Sequence, residues 1–478
     1  MFVKRFFEPS LAQASYLIGC QRTGEAVVVD ANRDAHQYIE AAEREGLRIT
    51  QVTETHIHAD YVSGSRELAQ RTGASLCLSD EGDIDWKYQF PHARKLKNGD
   101  RITIGNITLD VVHTPGHTPE HIIFLVTDGA AADQPIAAIT GDFVFVGDVG
   151  RPDLLERAAK VSGTMESSAK ALWHSLQAFA ANEDWLQIWP GHGAGSACGK
   201  GISAIPSSTV GYERRFNWAF NITTEAEFVT SVLAGQPEPP KYFATMKRVN
   251  KEGPSILGGF HLPEHLGAAE LPDVLRRQAQ VVDTRPAAEY AADHVLGTIN
   301  IPFNSSFVTW AGWLLSAPEF YLIIDRETAR ARLQELSRSL ALIGIDRISG
   351  YFDPTALAQP GLTHRTTAQI VAPELAARLA AGEVTLVDVR SAREWSEGHI
   401  AGATHIPLGY LTDRYTEIAA TKPVVVQCQS GGRSAIGASL LERLGVANVV
   451  NLSGGMTAWA AAGLPIEERT HEQEATRA

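Results

Sequence analysis

The segment Thr55-His56-Ile57-His58-Ala59-Asp60-Tyr61 places two imidazoles and a carboxylate within five positions. Those are the donor types that hold divalent metal ions. The segment follows a strand-like run over 49–55 and precedes Ser63-Gly64-Ser65, which reads as the serine-capped start of a helix over 66–72. The donors therefore fall on a strand-to-helix loop, where a rigid scaffold can present them. Three further pieces stand at comparable strand ends. His113-Thr114-Pro115-Gly116-His117-Thr118-Pro119-Glu120-His121 lies between apolar runs over 107–112 and 122–126, Thr140-Gly141-Asp142 closes a run over 135–139, and Pro190-Gly191-His192-Gly193 closes one over 185–189. Each delivers a His or Asp beside glycine, the residue that lets backbone approach closely. One such histidine alone reads as a turn or capping residue; the ordered set reads as a metal site.

A different chemistry is carried by Cys428-Gln429-Ser430-Gly431-Gly432-Arg433-Ser434, reached from a buried strand over 423–427 and followed by an apolar helix over 435–444. A cysteine at a strand-to-helix turn faces backbone amides and a helix N-terminus, and both favour a thiolate or a terminal persulfide anion. Gly431 and Gly432 leave room for the loop to curl around it, and Arg433 adds a fixed positive charge. Cys198 stands six positions past His192 with Lys200 nearby, a cation able to lower a thiol pKa. Cys20 and Cys77 sit in apolar runs and read as core.

The order HxHxD, PGHT, GD, PGHG resembles the metallo-β-lactamase superfamily over about residues 1–245. The resemblance implies a four-layer αββα sandwich with the site at one edge of its two sheets. Glyoxalase II-type hydrolases of that superfamily carry HxHxDH, whose Asp and last His help hold a second zinc, whereas here the last position is Tyr61. A phenol is a poorer zinc ligand than imidazole. What remains is His56, His117 and Asp142, and two His with one carboxylate is the facial triad of non-haem Fe(II). The persulfide dioxygenase branch implies one Fe(II) per chain on these three, with zinc as the alternative. It makes His58, Asp60, Tyr61 and His192 surrounding groups that orient ligands or bind water. The same branch carries GRxD nine positions after the ligand Asp, matched by Gly150-Arg151-Pro152-Asp153. Arg151 would meet a substrate anion, and Cys198 would also face substrate.

An internal repeat fixes the rest of the layout. Val282-Asp283-Thr284-Arg285 with Glu289, His294, Gly297 and Ile301-Pro302 recurs 105 positions later as Val387-Asp388-Val389-Arg390 with Glu394, His399, Gly402 and Ile406-Pro407. The pattern resembles the rhodanese family, a small α/β domain with a parallel sheet. The second copy matches the rhodanese CxxGxRS loop, giving Cys428 and Arg433 catalytic roles and Gln429, Ser430, Gly431, Gly432 and Ser434 the persulfide-holding loop. In the first copy Asp325 and Arg330 stand where Cys428 and Arg433 stand, and the glycines are gone. A carboxylate cannot carry sulfane sulfur, so that copy is expected to be inactive. The expected domains are 1–253, 254–358 and 362–470, an α/β and α+β multidomain chain.

Length agrees, since 478 residues is enough for about three domains. Four scattered cysteines form no CxxC pair, no run reaches a membrane span, and the N-terminus lacks the apolar stretch of a signal peptide, so a cytoplasmic protein is expected. A formal charge of −13 argues against nucleic acid as a partner. The Pro-rich segment 235–240 reads as a stiff loop, and the tail 467–478 as a fraying end. A homo-oligomer is compatible with all of this.

The two resemblances fit one chemistry, because a persulfide dioxygenase makes sulfite and a rhodanese moves sulfane sulfur between thiols and sulfite. The chain resembles bacterial fusions of the two found in sulfide detoxification. Its expected partners are a low-molecular-weight thiol persulfide, O2, and sulfite or thiosulfate. Two other readings stand beside this one: a zinc thioester hydrolase using metal-bound hydroxide, and a sulfur-carrier module that serves a protein partner.

Overall fold

Alternation along Gln13–Cys20 sets the architecture of the first half: Tyr16 and Ile18 enter one core and Leu17 the opposite one, as pleating requires. The computed structural model describes residues 1–157, 163–236, 238–315 and 319–467. Within them the chain divides into two units, Met1–Phe260 with Arg338–Asp346, and His261–Ser337 with Arg347–Ala478. Pro237 of the Pro-rich loop and the expected fraying tail from 468 onward lie outside the described residues.

In the first unit, β1 (Phe2–Glu8), β2 (Gln13–Cys20), β3 (Glu25–Val29), β4 (Arg48–Thr53), β5 (Ser75–Ser79) and β6 (Arg94–Leu96) pair in that order. A second sheet holds β7 (Arg101–Ile104), β8 (Ile107–His113), β9 (Ile122–Asp128), β10 (Ala137–Gly141), β11 (Gln187–Pro190) and β12 (Ser208–Thr209), ordered β12-β11-β10-β9-β8-β7. The sheets face each other across Ile18, Val27, Val29, Leu109, Phe124 and Ile139. Helices Ala35–Arg44 and Ser65–Thr72 cover the outside of the first sheet through Tyr38, Ala41 and Leu68. Helix Met165–Phe179 covers the second through Leu172 and Leu176 against Ile123, Ala138 and Ile188. Each fully buried leucine contributes roughly 1.5–3 kcal/mol. The layers are therefore αββα, as the motif order implied.

The segment Arg338–Asp346, inside the span expected to form the middle domain, groups with this unit. Arg338 pairs with Glu8 and Asp34, each at 2.6 Å, and Val62 N donates to Leu342 O at 2.7 Å.

The second unit carries two parallel sheets. One joins β13 (Gln280–Asp283), β15 (Thr298–Asn300), β16 (Phe320–Ile323) and β17 (Gly350–Phe352) in the order β15-β13-β16-β17. A small antiparallel pair, β14 (His294–Val295) with β18 (His364–Arg365), stands beside it. The other joins β19 (Ala368–Ile370), β20 (Thr385–Asp388), β21 (Thr404–His405), β22 (Val424–Gln427) and β23 (Val449–Leu452), ordered β19-β23-β22-β20-β21. The repeat is visible in three dimensions: β13 and β20 each end in the Asp of VDxR. In both copies the following Arg clasps that Asp, Arg285 with Asp283 at 2.6 Å and Arg390 with Asp388 at 2.7 Å.

Candidate metal and sulfur-transfer sites

The first site is built by strand ends. His56 leaves β4, His117 sits in the turn between β8 and β9, and Asp142 follows β10; all three are buried. Gly141 adopts φ +50, and a Cβ there would meet Thr55 Oγ1 at 2.4 Å, so glycine is what lets the Asp142 turn close on the HxH loop.

Hydrogen bonds fix which nitrogen of each ring faces inward. Thr55 Oγ1 donates to Asp30 Oδ2 at 3.0 Å and so accepts from His56 Nδ1, 2.9 Å away. His117 Nδ1 donates to the Arg151 carbonyl at 2.9 Å. Both rings therefore present a bare Nε2. These face Asp142 Oδ2 at 3.9 and 3.5 Å, and neither Asp142 oxygen nor His56 Nε2 has a hydrogen-bond partner. Burial, with the neighbouring imidazoles, holds His56 well below its usual pKa, and burial lowers His117 as well. Three acceptor atoms converging without a donor are repulsive unless a cation lies among them. The donor set fits a metal ion.

The surrounding groups sort themselves by where they point. His58 turns its Nε2 to Asp30 Oδ1 at 3.2 Å. Burial opposes its charge, but the Asp30 carboxylate prevails and the imidazole is pushed up to about 9. Its Nδ1 has no hydrogen-bond partner, and His58 does not join the group formed by His56, His117 and Asp142. The Tyr61 hydroxyl donates to the Asp30 carbonyl at 3.2 Å, and burial, with nearby Asp30, holds the phenol well above its usual range. Asp60 and His192 meet instead in a second cluster with Cys198, their donor atoms within 4.8 Å of one another. His192 Nδ1 donates to Ala12 O at 3.2 Å, leaving Nε2 at 3.2 Å from Asp60 and 3.4 Å from Asp142 Oδ1.

Two expectations need correction. Arg151 is fully buried and already bound: its guanidinium makes a bidentate pair with Asp153 at 2.7 and 2.8 Å and donates to Ala197 O at 3.0 Å. Its backbone joins the His117 and Cys198 loops, and its buried guanidinium is turned to Asp153 and Ala197 rather than exposed to a substrate anion. Lys200 does not activate Cys198 either. Its ammonium donates to Ser231 O and Ala234 O and lies over Trp218, while burial, then Asp142 and Asp60, push the Cys198 thiol well up.

Several participants carried no role in the sequence reading. Asp30 supports both His56, through Thr55, and His58. Its signal was a carboxylate ending the apolar run 26–29, and it sits at φ +56, a conformation that non-glycine residues rarely adopt. His121 Nε2 accepts from Asp142 N at 3.2 Å, and Glu120 Oε1 accepts from Ile57 N at 2.8 Å. Burial pushes Glu120 up to about 7. Asn250 donates to the carbonyls of His58 and Tyr61 at 2.8 and 2.7 Å.

The second site lies where β22 runs into helix Gly432–Arg443. Gly431, at φ +99, turns the loop so that its N–H donates to Cys428 Sγ at 3.1 Å; Ser434 Oγ donates to Gly431 O at 3.0 Å and lies 3.4 Å from the same sulfur. Thr457 N donates to Gln429 O at 3.0 Å and Met456 N to Cys428 O at 2.8 Å, so the chain after β23 backs the loop. A Cβ on Gly455 would meet Cys428 O at 2.2 Å. Ser430 is exposed and Gly432 opens the helix. Arg433 forms a bidentate pair with Glu394 at 2.7 and 2.5 Å. In the first repeat Asp325 is an exposed helix cap whose Oδ1 accepts from Thr328 N at 2.8 Å, and that bond holds its carboxyl below the usual range.

The family model of the metallo-beta-lactamase superfamily matches residues 10–192, and that of the rhodanese-like domain matches 371–462. The human mitochondrial persulfide dioxygenase ETHE1 is 30% identical over 236 residues, 48% of this chain and 79% of that protein. A hydroxyacylglutathione hydrolase of Rhodospirillum rubrum is 30% identical over 178 residues, 37% of this chain and 60% of the hydrolase. The crystal structure of a metallo-beta-lactamase from Staphylococcus aureus superposes with a TM-score of 0.67 at 44% identity, covering 74% of this chain and 99% of that one. The chain belongs to the metallo-β-lactamase superfamily and carries a C-terminal rhodanese-like domain.

Proposed function

We propose that the chain oxidises low-molecular-weight thiol persulfides with O2 at one Fe(II) and exchanges sulfane sulfur with sulfite or thiosulfate at Cys428, in a cytoplasmic sulfide-detoxifying role. The observation that carries the reading is the inward convergence of His56, His117 and Asp142 while His58 and Tyr61 turn away to Asp30. Two imidazoles and one carboxylate are the donor set of a facial iron site. The likeness to persulfide dioxygenase and the rhodanese-like domain support a sulfur substrate. We place the working domains at 1–253, 254–358 and 362–470, with the middle one inactive.

Held by these three residues, Fe(II) supplies the redox chemistry for RSSH + O2 + H2O → RSH + sulfite + two protons. The chain's own part is positioning. Asp30, Thr55 and the Arg151 carbonyl fix the imidazole tautomers, His121 fixes Asp142, and the buried Cys198 offers a soft, neutral thiol beside the pocket. At the other site, Cys428 thiolate attacks the outer sulfur of thiosulfate, the S–S bond to sulfite breaks, and the persulfide anion forms in the loop whose Gly431 N–H faces Cys428 Sγ. Sulfite attacking that persulfide runs the exchange backwards. Anaerobic purification followed by metal analysis and persulfide-dependent O2 uptake tests the reading: about one iron per chain with O2 consumption is expected, and two zincs without O2 consumption overturn it.

The Asp60, His192 and Cys198 cluster, together with the hydroxyacylglutathione hydrolase relative, favours one competitor, a dinuclear zinc thioester hydrolase. That enzyme would turn over thioesters without O2 and would leave Cys428 unused.

A further inference from the structure

The internal repeat separates what the rhodanese-like fold needs from what the sulfur chemistry needs. Both copies keep the buried Asp–Arg clasp, and both clasping arginines also donate to a carbonyl at the same place in the repeat, Arg285 to Asp293 O and Arg390 to Gly398 O. That pair belongs to the fold. The Glu–Arg pair behaves otherwise. Glu394 and Arg433 are joined at 2.7 and 2.5 Å, whereas the matching Glu289 and Arg330 are both exposed and, among the described residues, no ion pair joins them. The ion pair accompanies the cysteine.

Glu394 is more than a partner of convenience. It caps its own helix, accepting from Ser391 N at 3.1 Å and Ser391 Oγ at 2.8 Å, so its carboxylate is anchored before Arg433 reaches it. Arg433 is the cation one turn from Cys428, and the structure spends both of its terminal nitrogens on Glu394. The sulfur instead accepts from the Gly431 amide, with Ser434 Oγ 3.4 Å away.

We infer that Glu394 is a specificity-determining counter-charge: it neutralises Arg433 so that the Cys428 loop does not over-bind divalent oxyanions and keeps a preference for monoanionic thiol persulfides as sulfur donors. This rests on the sulfur-transfer reading of Cys428. A dianion beside a partly buried guanidinium gains about twice the Coulomb energy of a monoanion, and an anchored carboxylate removes that difference.

The test is Glu394→Gln in the full chain, with thiosulfate and the persulfide of 2-mercaptoethanol, a monoanion, as alternative donors and cyanide as acceptor. Freed of its counter-charge, Arg433 should lower the KM for thiosulfate about fivefold or more, leave the KM for 2-mercaptoethanol persulfide within about twofold, and make thiosulfate turnover strongly salt-dependent. Glu394→Asp keeps the charge and should keep the wild-type ratio of the two KM values. An unchanged ratio in Glu394→Gln, or an equal shift in Glu394→Asp, overturns the inference and leaves Glu394 as a brace for the loop. If Glu394→Gln does not fold, Glu394→Asp alone decides: a fall in thiosulfate KM refutes the charge argument, and an unaltered ratio with a lowered Tm supports it. Failure of the wild-type chain to use thiosulfate at all would strike the sulfur-transfer reading itself, a different outcome from either.

Discussion

Thr55→Val is the most searching perturbation of the metal site, because it replaces no proposed ligand. Thr55 is fully buried, and its hydroxyl relays Asp30 to His56 Nδ1 through contacts of 3.0 and 2.9 Å. Without the relay, His56 loses the acceptor that keeps the proton on Nδ1, and its Nε2 no longer has to be the bare nitrogen. Loss of a partner that orients a metal-bound histidine typically costs about 10–100-fold in metal affinity, or about 1.4–2.8 kcal/mol. The stranded polar atoms of Asp30 and His56 should also cost about 1–3 kcal/mol of folding stability. Competition with a chromophoric chelator under anaerobic conditions reads the first quantity, and unfolding of the metal-free protein reads the second. Thr55→Ser, which keeps the hydroxyl, should restore metal affinity even where the lost methyl lowers Tm. Wild-type metal affinity in Thr55→Val would refute the relay and with it the tautomer argument on which the convergent lone pairs rest.

His117→Ala and Asp142→Ala should each lose bound iron and O2 uptake, while thiosulfate turnover at Cys428 persists; full iron with full O2 uptake in either would remove it from the ligand set. Cys428→Ser should abolish sulfur transfer because a hydroxyl forms no persulfide, whereas Asp325→Ala, which alters only an exposed cap, should leave it near wild type. Given excess persulfide and O2, Cys428→Ser should release sulfite where the wild-type chain releases thiosulfate, at a similar O2 rate; both anions measured against a no-enzyme control decide it. Acid should weaken the second unit through Glu394: burial opposes its charge, but Arg433 outweighs burial and brings the carboxyl from 4.5 to about 2. That stabilisation is fully present above about 4.5 and is lost as pH falls through about 2. Glu394→Gln should therefore flatten the acid limb of a Tm-against-pH profile.

The strand ends were legible because each donor follows an apolar run that the chain has to bury; β8, β9, β10 and β11 all lie within a few residues of the expected runs. The grouping of His56, His117 and Asp142 was expected from the motif order, and their donor atoms lie within 4.8 Å of one another. Arg151 was misjudged for a physical reason. A guanidinium two positions before an aspartate can serve a ligand or the aspartate, and only burial distinguishes the two; here Asp153 takes it at no exposure at all. Asp30 escaped notice because its role is made by partners 25 and 28 positions away, Thr55 and His58, which no local pattern connects. The same holds for Asn250, whose partners lie 189 and 192 positions earlier.

The number of metals turns on a difference between the two clusters that share Asp142. In the first, hydrogen bonds hold the proton of His56 and of His117 on Nδ1, so that both Nε2 atoms face Asp142 Oδ2. In the second, burial raises the Asp60 carboxyl and the Cys198 thiol alike. Tyr61 completes the contrast, since an imidazole at that position would be a further donor for a second metal, whereas its neutral phenol is committed to the Asp30 carbonyl. The first cluster thus has its imidazole lone pairs fixed inward by hydrogen bonds, while the second lacks the imidazole that position 61 would add, and this contrast argues for one metal per chain. Tyr61→His is the direct probe: a second equivalent of zinc bound by that variant alone is the expected result, and two equivalents bound by the wild-type chain would refute the argument.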